Sequence, residues 1–462
     1  MEHYIFVKNF RKEIFTGTCL DLSSEGKGVV KYQDTIVFVD GLFIGEKADI
    51  EILYYRAGVA FGKVIKLYTL SKERIQPRCK VCTACGGCQF QQLQYSEQLK
   101  YKKNKVYNDL VRIGHLKDFT INDTIGMDNP YNYRNKIQVP VGYNFKHQII
   151  SGFYREKSHE IIPIDECFIE DVRAAKIVKT IKELMPSFKI SPYNEDNGVG
   201  LLRHILVRTS YYKKEVMVVL VMSKDGFVGS SNFVKELISK CPEVTTIVLN
   251  VNSRHTNVVL GEKEKVLYGK GFIEDILCGL TFRISSKSFY QINPLQCEKL
   301  YSKALEFAHL NKDETLLDAY SGIGTIGLIA AKDCKNVISV EIVKEATQDG
   351  IRNAKANNIS NIKFINGDAT EYIMKAKTNN NKIDCVFLDP PRNGSTPEFL
   401  NSVLSLKPKK VIYISCEPST LARDLSILAS NYEVMVVQPV DMFPMTFHVE
   451  TVALLVLKDS KK

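Results

Sequence analysis

The feature that most constrains the fold is a regular alternation of apolar runs and amphipathic stretches after Asn293. Helical stretches separate the first six of seven strand-like runs, and this alternation is typical of a mostly parallel, doubly wound sheet. The last two runs are joined by a short segment, as in an antiparallel pair at the edge of a sheet. The predicted strands are Thr315–Ala319, Asn336–Val340, Ile362–Ile365, Cys385–Asp389, Lys410–Ser415, Tyr432–Val437 and Thr451–Leu457.

The rest of the chain predicts two further regions, so the expected fold class is multidomain α/β. With 462 residues the chain is too long for one compact core. Residues 1–67 contain short β-rich runs between glycine turns, which predicts a small OB-like β-barrel. Residues 68–285 combine strand-like runs with one amphipathic helix over 172–185, which predicts a central mixed α+β domain. Residues 286–462 form the doubly wound, Rossmann-like domain.

A glycine-rich loop follows the first predicted strand of this sheet, in the sequence LLDAYSGIGTIG at 316–327. Gly322 allows a tight turn and a close approach to a ligand. Glu341 ends the next strand, where a carboxylate can accept both hydroxyls of a ribose. Asp318 directly precedes the loop, where it would repel a pyrophosphate but attract an amino-acid ammonium, and Asp368 ends the third strand, the usual place for a residue that contacts adenine. Together these residues favour S-adenosylmethionine over NAD.

A proline corner and a thiol are predicted at the same edge of the sheet. Asp389 begins the sequence Asp-Pro-Pro-Arg after the fourth strand, and the prolines end the hydrogen-bond ladder and stiffen the corner. Cys416 follows the fifth strand, and ligands of open α/β sheets bind outside the carboxyl ends of the strands. A thiol beside a methyl donor suggests attack on a pyrimidine ring, which makes the C5 carbon nucleophilic.

Four of the twelve cysteines are concentrated in the sequence CKVCTACGGC at 79–88. In an intracellular chain such a cluster indicates metal binding or catalysis before disulfides. Thiolate ligands favour either zinc or an iron–sulfur cluster, and the residues alone leave both possibilities open. A zinc site would use Cys79, Cys82, Cys85 and Cys88.

Positive charge is concentrated close to these cysteines. The whole chain has a net charge of +10, yet residues 71–117 alone carry ten Lys or Arg and three acidic residues, a net +7. This concentration is typical of a surface that binds RNA phosphates, although a solvated lysine-rich helix has the same composition. The candidate RNA contacts lie on a predicted helix over 93–113 and are Lys100, Lys102, Lys103 and Lys105.

No segment of the sequence indicates a membrane protein. No apolar run approaches the roughly 18–20 residues that are needed to span a bilayer. The first residues, Met1 to Lys8, lack the charged-then-apolar layout of a signal peptide. We therefore expect a cytoplasmic protein.

The motifs as a set resemble the S-adenosylmethionine-dependent RNA uracil-C5 methyltransferase family. The resemblance runs over nearly the whole chain and is highly specific. The matching segments are the cysteine run from Cys79 to Gln89, Tyr133-Arg134-Asn135-Lys136, Leu202-Arg203-His204, Thr256 to Gly261, Ser288 to Asn293, the glycine loop, Asp389-Pro390-Pro391-Arg392, Ser415-Cys416 and Phe443 to Glu450.

The resemblance implies a covalent mechanism. Cys416 would add to C6 of uracil, Glu450 would later remove the C5 proton, and Asp389 would lie between donor and base. The target base must leave its stack, and Phe289 or Tyr290 is a candidate stacking partner. The residues that would hold the methyl donor, from the resemblance and from the pattern above, are Gln291, Asp318, Tyr320, Gly322, Glu341, Asp368 and Asp389.

The resemblance also implies a four-iron, four-sulfur (4Fe-4S) cluster. Its ligands would be Cys79, Cys85 and Cys88 with the distant Cys167, while Cys82 departs from the bare pattern and competes as a ligand. The leading barrel resembles the RNA-binding TRAM module of many bacterial members. Barrel and cysteine cluster together favour 23S ribosomal RNA over transfer RNA as the substrate, and we expect a monomer.

Three other functions are compatible with parts of the pattern. An iron–sulfur or NAD-linked oxidoreductase is disfavoured because Asp318 and Asp389 crowd the cofactor with negative charge. A non-catalytic RNA-binding protein would not need the pair Cys416 and Glu450. A cytosine-C5 methyltransferase would carry a cysteine directly after the two prolines, and position 392 is Arg.

Overall fold

A computed structural model describes residues 13–155, 158–255, 258–378 and 382–458. These residues form two compact units. The first contains the described residues up to 101 together with 445–447, and the second contains 102–444 and the described residues from 448 onward. Thr256 and Asn257 of the motif at 256–261, like residues 1–12, lie outside the described residues. Within those ranges no helix is both long and apolar enough to cross a membrane.

The first unit contains the predicted barrel. Its five strands close in the order β1-β2-β3-β5-β4, with β4 paired to β1. Val30, Val37 and Ala60 are fully buried inside it, and their neighbours along the strands are less buried because successive side chains point to opposite faces. The prediction of a small barrel is confirmed. The strands are β1 (Ile14–Leu22), β2 (Gly28–Tyr32), β3 (Thr35–Val39), β4 (Lys47–Arg56) and β5 (Val59–Thr69).

Two helices follow the barrel in the chain. The one-turn helix α1 (Cys82–Cys85) carries two of the clustered cysteines. The long helix α2 (Tyr95–Arg112) matches the predicted basic helix over 93–113. Val106 and Leu110 on α2 are fully buried, and they pack in a core of the second unit.

A seven-stranded mixed sheet forms the middle of the chain, in the order β13-β12-β11-β10-β7-β8-β9. Helices α3 (Val172–Leu184) and α4 (Ser230–Lys240) pack on one face through apolar side chains that include Ile177, Ile181 and Phe233. The strands are β7 (Lys136–Tyr143), β8 (Ile149–Tyr154), β9 (Ile161–Pro163), β10 (Leu202–Thr209), β11 (Val216–Met222), β12 (Thr246–Val251) and β13 (Lys263–Tyr268), after a two-residue strand β6 (Thr120–Ile121).

The hairpin β14 (Ile273–Leu277) and β15 (Leu280–Ile284) leads to an eight-stranded sheet in the order β18-β17-β16-β19-β20-β22-β21-β6. The expected parallel arrangement and the antiparallel last strand are confirmed. The strands are β16 (Thr315–Ala319), β17 (Asn336–Glu341), β18 (Ile362–Asn366), β19 (Cys385–Leu388), β20 (Lys410–Ser415), β21 (Tyr432–Val440) and β22 (Glu450–Leu457).

Helices cover both faces of this sheet, as doubly wound folds require. One face packs with α5, α6 and α7 and shares a single apolar core with the middle sheet through side chains such as Leu206 and Phe282. The other face packs with α8, α9, α10 and α2. The helices are α5 (Pro294–Ala308), α6 (Thr325–Ala330), α7 (Lys344–Ala356), α8 (Ala369–Thr378), α9 (Pro397–Leu406) and α10 (Pro418–Leu428).

The edge strand β6 of the eight-stranded sheet was not predicted. It pairs in parallel with β21, with Ile121 opposite Val437. Two residues are too few to show a strand period in the sequence, so this pairing was not predictable from the alternation of apolar residues.

Candidate active site

The register of the sheet brings the predicted site residues to one edge. Ala319 pairs with Leu388, and Leu388 pairs with Tyr413, so strands β16, β19 and β20 end close to one another. Tyr320, Asp389 and Cys416 lie at or just beyond these carboxyl ends. This is the edge at which open α/β sheets bind their ligands.

The loop after β16 has an unusual backbone. Gly322 and Gly324 have φ of 56° and 75°, which glycine adopts without steric cost. Tyr320 has φ of 62° although it carries a bulky side chain, which costs on the order of 1–3 kcal/mol. Its hydroxyl lies 3.0 Å from Oγ of Ser395, and its ring packs on Phe399. These contacts hold the tyrosine in a strained conformation at the edge of the site.

Glu341 fixes the glycine loop against the next strand. Its Oε2 accepts a hydrogen bond from the amide of Gly322 at 2.8 Å, and its Oε1 accepts one from the amide of Val343 at 2.8 Å. The carboxylate is therefore oriented by two backbone donors before any ligand binds. This geometry is compatible with the predicted contact to a ribose.

Asp318 and Asp368 already have backbone partners. Asp318 is 1% exposed, and its Oδ2 accepts hydrogen bonds from the amide of Gly327 and the hydroxyl of Ser339. Burial raises the pKa of Asp318 to about 7. Asp368 accepts from the amides of Thr370 and Glu371, so it caps the start of α8. Their predicted contacts with the methyl donor stay predictions.

The antiparallel pairing of β20 and β22 places the predicted nucleophile beside the predicted base. Ser415 pairs with Thr451, so Cys416 and Glu450 are the next residues on either strand. Glu450 is 5% exposed, whereas Cys416 is partly exposed. Residues that are far apart in sequence thus form one pair at the edge of the sheet.

Cys416, Glu450 and Asp389 all have raised pKa values in this site. Burial and then the carboxylates of Glu450 and Asp389 raise the pKa of the Cys416 thiol to about 12. Burial and then Asp389 raise the pKa of Glu450 to about 8. Burial raises the pKa of Asp389 to about 7. Strongly shifted pKa values in neighbouring titratable groups are typical of catalytic sites.

Arg392 is the cation that the sequence analysis did not assign to a role. Its charge opposes the rise in pKa of both Cys416 and Glu450. The loop that follows Arg392 is anchored by the buried Asp424, which accepts from the amide of Ser395 at 2.7 Å and from the hydroxyl of Tyr413 at 2.5 Å. The sequence feature that could have pointed to Arg392 is its position directly after the two prolines, at the predicted corner of the site.

Gln291 lies in the segment before α5. Its carbonyl accepts a hydrogen bond from the side-chain amide of Asn135 at 3.0 Å, and its side chain contacts the hydroxyl of Tyr301. Asp389 also lies within electrostatic reach of the Tyr301 hydroxyl. The structure therefore brings this predicted donor contact to the catalytic edge.

The two candidate stacking residues have different environments. Phe289 is 68% exposed and remains available to a base. Tyr290 is 6% exposed and packs in the core with Ile284 and Leu300, so the prediction that its ring could stack on a base is wrong. Adjacent residues in an extended segment point to opposite sides, which explains the difference.

The basic helix is also only partly as predicted. Lys102 is fully buried and forms an ion pair with Asp441, and Lys105 is 7% exposed. The prediction that these two contact an RNA backbone from an open surface is wrong, because a helix that packs on a sheet buries one side of its lysine run. Lys100 and Lys103 remain accessible to solvent.

The clustered cysteines lie around α1. Cys79 and Cys82 are buried, and Cys79 and Cys85 both contribute to raising the pKa of Cys82, after burial. Cys167 lines a cavity of about 260 Å³ together with Glu166 and Glu170. Across the four described ranges, no group of three or more His, Cys, Asp or Glu side chains is arranged to hold a metal ion. The predicted cluster and the zinc alternative are thus not shown by the geometry.

Comparison with known proteins agrees with this geometry. The family model described as tRNA (uracil-5-)-methyltransferase matches residues 95–458. An uncharacterized RNA methyltransferase from Staphylococcus aureus strain MRSA252 is 43% identical over 97% of this chain and 99% of the relative. A Staphylococcus epidermidis relative with the same description is 43% identical over 98% of this chain and 99% of its own.

A solved structure has the same architecture. The tRNA (uracil-54, C5)-methyltransferase of Pyrococcus abyssi, in complex with S-adenosyl-L-homocysteine, superposes with a TM-score of 0.78 at 29% identity. The match covers 96% of this chain and 99% of the archaeal chain. The similarity therefore extends through both described units.

Proposed function

The chain belongs to the RNA uracil-C5 methyltransferase family and is an S-adenosylmethionine-dependent RNA methyltransferase, and from this premise we propose that it methylates C5 of a uridine in 23S ribosomal RNA through a covalent adduct. The observation that carries the proposal is the pairing of Ser415 with Thr451, which sets the Cys416 thiol beside the Glu450 carboxylate. The adduct and the ribosomal substrate are the parts that need direct tests.

In the first step, sulfur of Cys416 forms a bond to C6 of the uracil ring. The thiol is neutral in the unliganded site, because its pKa is about 12. Its proton must leave as the bond forms, and Asp389 is a carboxylate within electrostatic reach that can accept it. Addition makes C5 nucleophilic, and S-adenosylmethionine, when bound, supplies the methyl group that C5 takes.

In the second step, Glu450 removes the proton from C5. The electron pair of the C5–H bond then reforms the ring double bond and expels the Cys416 sulfur from C6. The pKa of about 8 makes Glu450 a stronger base than an ordinary carboxylate, since burial and the neighbouring Asp389 destabilise its charge. The enzyme returns to its starting state after both carboxylates release their protons.

The methyl donor is proposed to lie along the carboxyl edge of β16 and β17. Gly322 offers close backbone approach and Glu341 an oriented carboxylate, and Gln291 faces the site from the segment before α5. Tyr320, Asp318 and Asp368 complete the proposed donor contacts.

Trapping with 5-fluorouridine RNA tests the covalent step. The C5 fluorine cannot be removed as a proton, so the wild-type enzyme plus S-adenosylmethionine should accumulate a protein–RNA conjugate that survives denaturing electrophoresis. With unmodified RNA, Glu450→Gln should accumulate the same conjugate, because addition proceeds without the base. Cys416→Ala should give no conjugate in either case.

A matched control separates the thiol from general effects of cysteine substitution. Cys385 is a fully buried cysteine on the neighbouring β19, and Cys385→Ala should retain the conjugate if the variant folds. Turnover by Cys416→Ala would exclude the covalent route. Loss of RNA binding by Glu450→Gln with no conjugate would remove Glu450 from the role of base.

The substrate is proposed to be 23S ribosomal RNA, supported by the N-terminal barrel and by the cysteine segment that resembles members acting on that RNA. Transfer RNA is the second candidate, favoured by the description of the family model and of the archaeal structure. Mass mapping of 5-methyluridine in both RNAs, from cells with and without the gene, distinguishes them. Loss of the modification from transfer RNA alone would refute the ribosomal substrate.

A 4Fe-4S cluster on Cys79, Cys85, Cys88 and Cys167 is a further part of the proposal. It is supported by the spacing of the three clustered cysteines. Anaerobically purified protein should be brown and contain iron and sulfide. Colourless protein with stoichiometric zinc would instead support a site on the four clustered cysteines.

We also propose a TRAM-like barrel at 1–67, a central RNA-binding domain at 68–285 and a methyltransferase domain at 286–462, in a monomeric cytoplasmic enzyme. Limited proteolysis and light scattering test the boundaries and the monomer.

A further inference from the structure

Three cationic side chains meet where the middle sheet approaches the active site. Lys136 on β7 pairs directly with Arg208 on β10, so both side chains project from the same side of the sheet. Arg134 precedes Lys136 by two residues, and its backbone bridges to Glu170. Arg134 and Arg208 both lower the pKa of Lys136, which places the three charges within electrostatic reach of one another.

These cations lack the compensation that buried charges normally have. Arg208 is 4% exposed, and its Nη2 donates to the carbonyl of Ser288 at 2.6 Å. Its Nε is buried without a hydrogen-bond partner. Within the described part of the chain, no carboxylate forms an ion pair with Lys136 or Arg208. Buried charges are usually paired because desolvation is costly.

One acidic residue lies beside Arg134. Glu170 adjoins Arg134 through a backbone bridge, and within the described residues its side chain forms no ion pair with Lys136 or Arg208. Burial, followed by the two arginines, lowers the pKa of Lys136 to about 8. An anion brought to this place would relieve both the repulsion and the unsatisfied donor.

The three cations adjoin the segment 288–292. This segment contains Phe289, the candidate stacking partner of the target base, and Gln291, a proposed contact to the methyl donor. Arg208 holds Ser288, the residue before the exposed Phe289. The Asn135 side chain, between Arg134 and Lys136, holds the carbonyl of Gln291 at 3.0 Å, and the Asn135 amide donates to Ile292 at 2.9 Å. An anionic group bound by the cluster would therefore lie next to a base that stacks on Phe289.

We propose that Arg134, Lys136 and Arg208 form a binding site for one backbone phosphate of the RNA substrate, adjacent to the target uridine. The inference rests on the proposed function. It adds to that function a site that holds the RNA backbone next to the flipped base. Guanidinium groups match the geometry of phosphate oxygens, and a phosphodiester carries the single negative charge that the cluster lacks.

Lys136→Gln is the variant of choice, since Lys136 is partly exposed and its removal leaves the Arg208 contact with Ser288 in place. Lys265→Gln is the matched control, because Lys265 is an exposed lysine on β13 of the same sheet. Affinity for an RNA hairpin that the wild-type enzyme methylates is measured between 50 and 200 mM salt. Losing one phosphate contact reduces the salt slope by about 0.7–0.9.

Over this fourfold change in salt, the wild-type affinity should therefore fall about 3-fold more than that of Lys136→Gln. Lys265→Gln should behave as the wild type. Hairpins with a single neutral methylphosphonate linkage then locate the contact: one position beside the uridine should weaken the wild type but not Lys136→Gln. Lys136→Arg should restore both the slope and the sensitivity to that position.

Two results would overturn the inference. Lys136→Gln could match Lys265→Gln in slope and in response to every neutral linkage. Alternatively, it could weaken binding of S-adenosyl-L-homocysteine while RNA affinity is unchanged, which would assign the cluster to the carboxylate of the donor. Both leave the proposed function intact, because that function fails only if the wild-type enzyme methylates no uridine and forms no conjugate with 5-fluorouridine RNA.

Discussion

Replacing Asp441 by Asn should destabilise the second unit far more than the same change at Asp123. Lys102 and Lys103 are neighbours on α2, and each pairs with an aspartate. The pair Lys102–Asp441 is fully buried at 2.5 Å, whereas Lys103–Asp123 is 33% and 95% exposed at 2.8 Å. Each change removes the acidic partner of a lysine on the same helix, and the main difference between the two pairs is their burial.

The expected size follows from that difference. Asp441→Asn leaves the Lys102 ammonium in a site whose burial already lowers its pKa, and breaking a buried pair costs about 3–5 kcal/mol. Asp441 Oδ1 also accepts from the amide of Phe443, so the turn that leads toward Glu450 loses part of its support. An exposed pair such as Lys103–Asp123 contributes about 0.2–1 kcal/mol.

Thermal unfolding followed by circular dichroism measures both variants. At about 2–4 °C per kcal/mol, Asp441→Asn should lower Tm by about 6–20 °C and Asp123→Asn by less than about 4 °C. The double variant Lys102→Met/Asp441→Leu should recover most of the loss, because it removes both buried charges. Equal shifts for the two aspartates, or no recovery in the double variant, would refute the reasoning.

Two further predictions concern the catalytic sheet. Gly324→Ala should lower the free energy of unfolding by more than about 1 kcal/mol, since φ is 75° and an added Cβ would lie 2.5 Å from the ring of Phe364; urea denaturation measures it, and an unchanged midpoint would contradict it. The second variant, Glu450→Gln, should gain stability relative to the wild type as pH rises from 5 to 9. The pKa of Glu450 is raised from 4.5 to about 8 in the folded protein. The stability that the wild-type side chain contributes is therefore complete below pH 4.5 and is lost as pH rises through 8. A difference between the two proteins that does not vary with pH would contradict that assignment.

The sequence predicted the elements whose residues follow a regular period. The strands Thr315–Ala319 and Lys410–Ser415 were predicted to the residue, because apolar runs in a parallel sheet are continuous and their ends are marked by the glycine loop and by Cys416. The site at the carboxyl edge followed from the same rule. The pairing of Cys416 with Glu450 could be inferred only from the family resemblance, since strand register is not readable from one sequence.

Burial was the main quantity that the sequence did not supply. Lys102 and Lys103 have the same composition around them, yet one is in the core and the other is in solvent. Phe289 and Tyr290 give a second example. Adjacent side chains of an extended segment point to opposite sides, but the sequence does not show which of the two is buried. Arg208 likewise lies in a strand, LRHILVRT, whose eight residues are all buried although four of them are polar or charged, and that burial is not readable from the sequence.

The way β6 and α2 complete the catalytic sheet has a consequence for protein synthesis. Val106 and Leu110 find their apolar partners in a core that includes residues of β21 and β22, near the other end of the chain. While the ribosome is still translating the middle of the message, the apolar side of α2 has no partner surface and stays exposed to solvent in the nascent polypeptide. The core that receives this side of α2 can therefore form only after β21 and β22 have emerged from the ribosome.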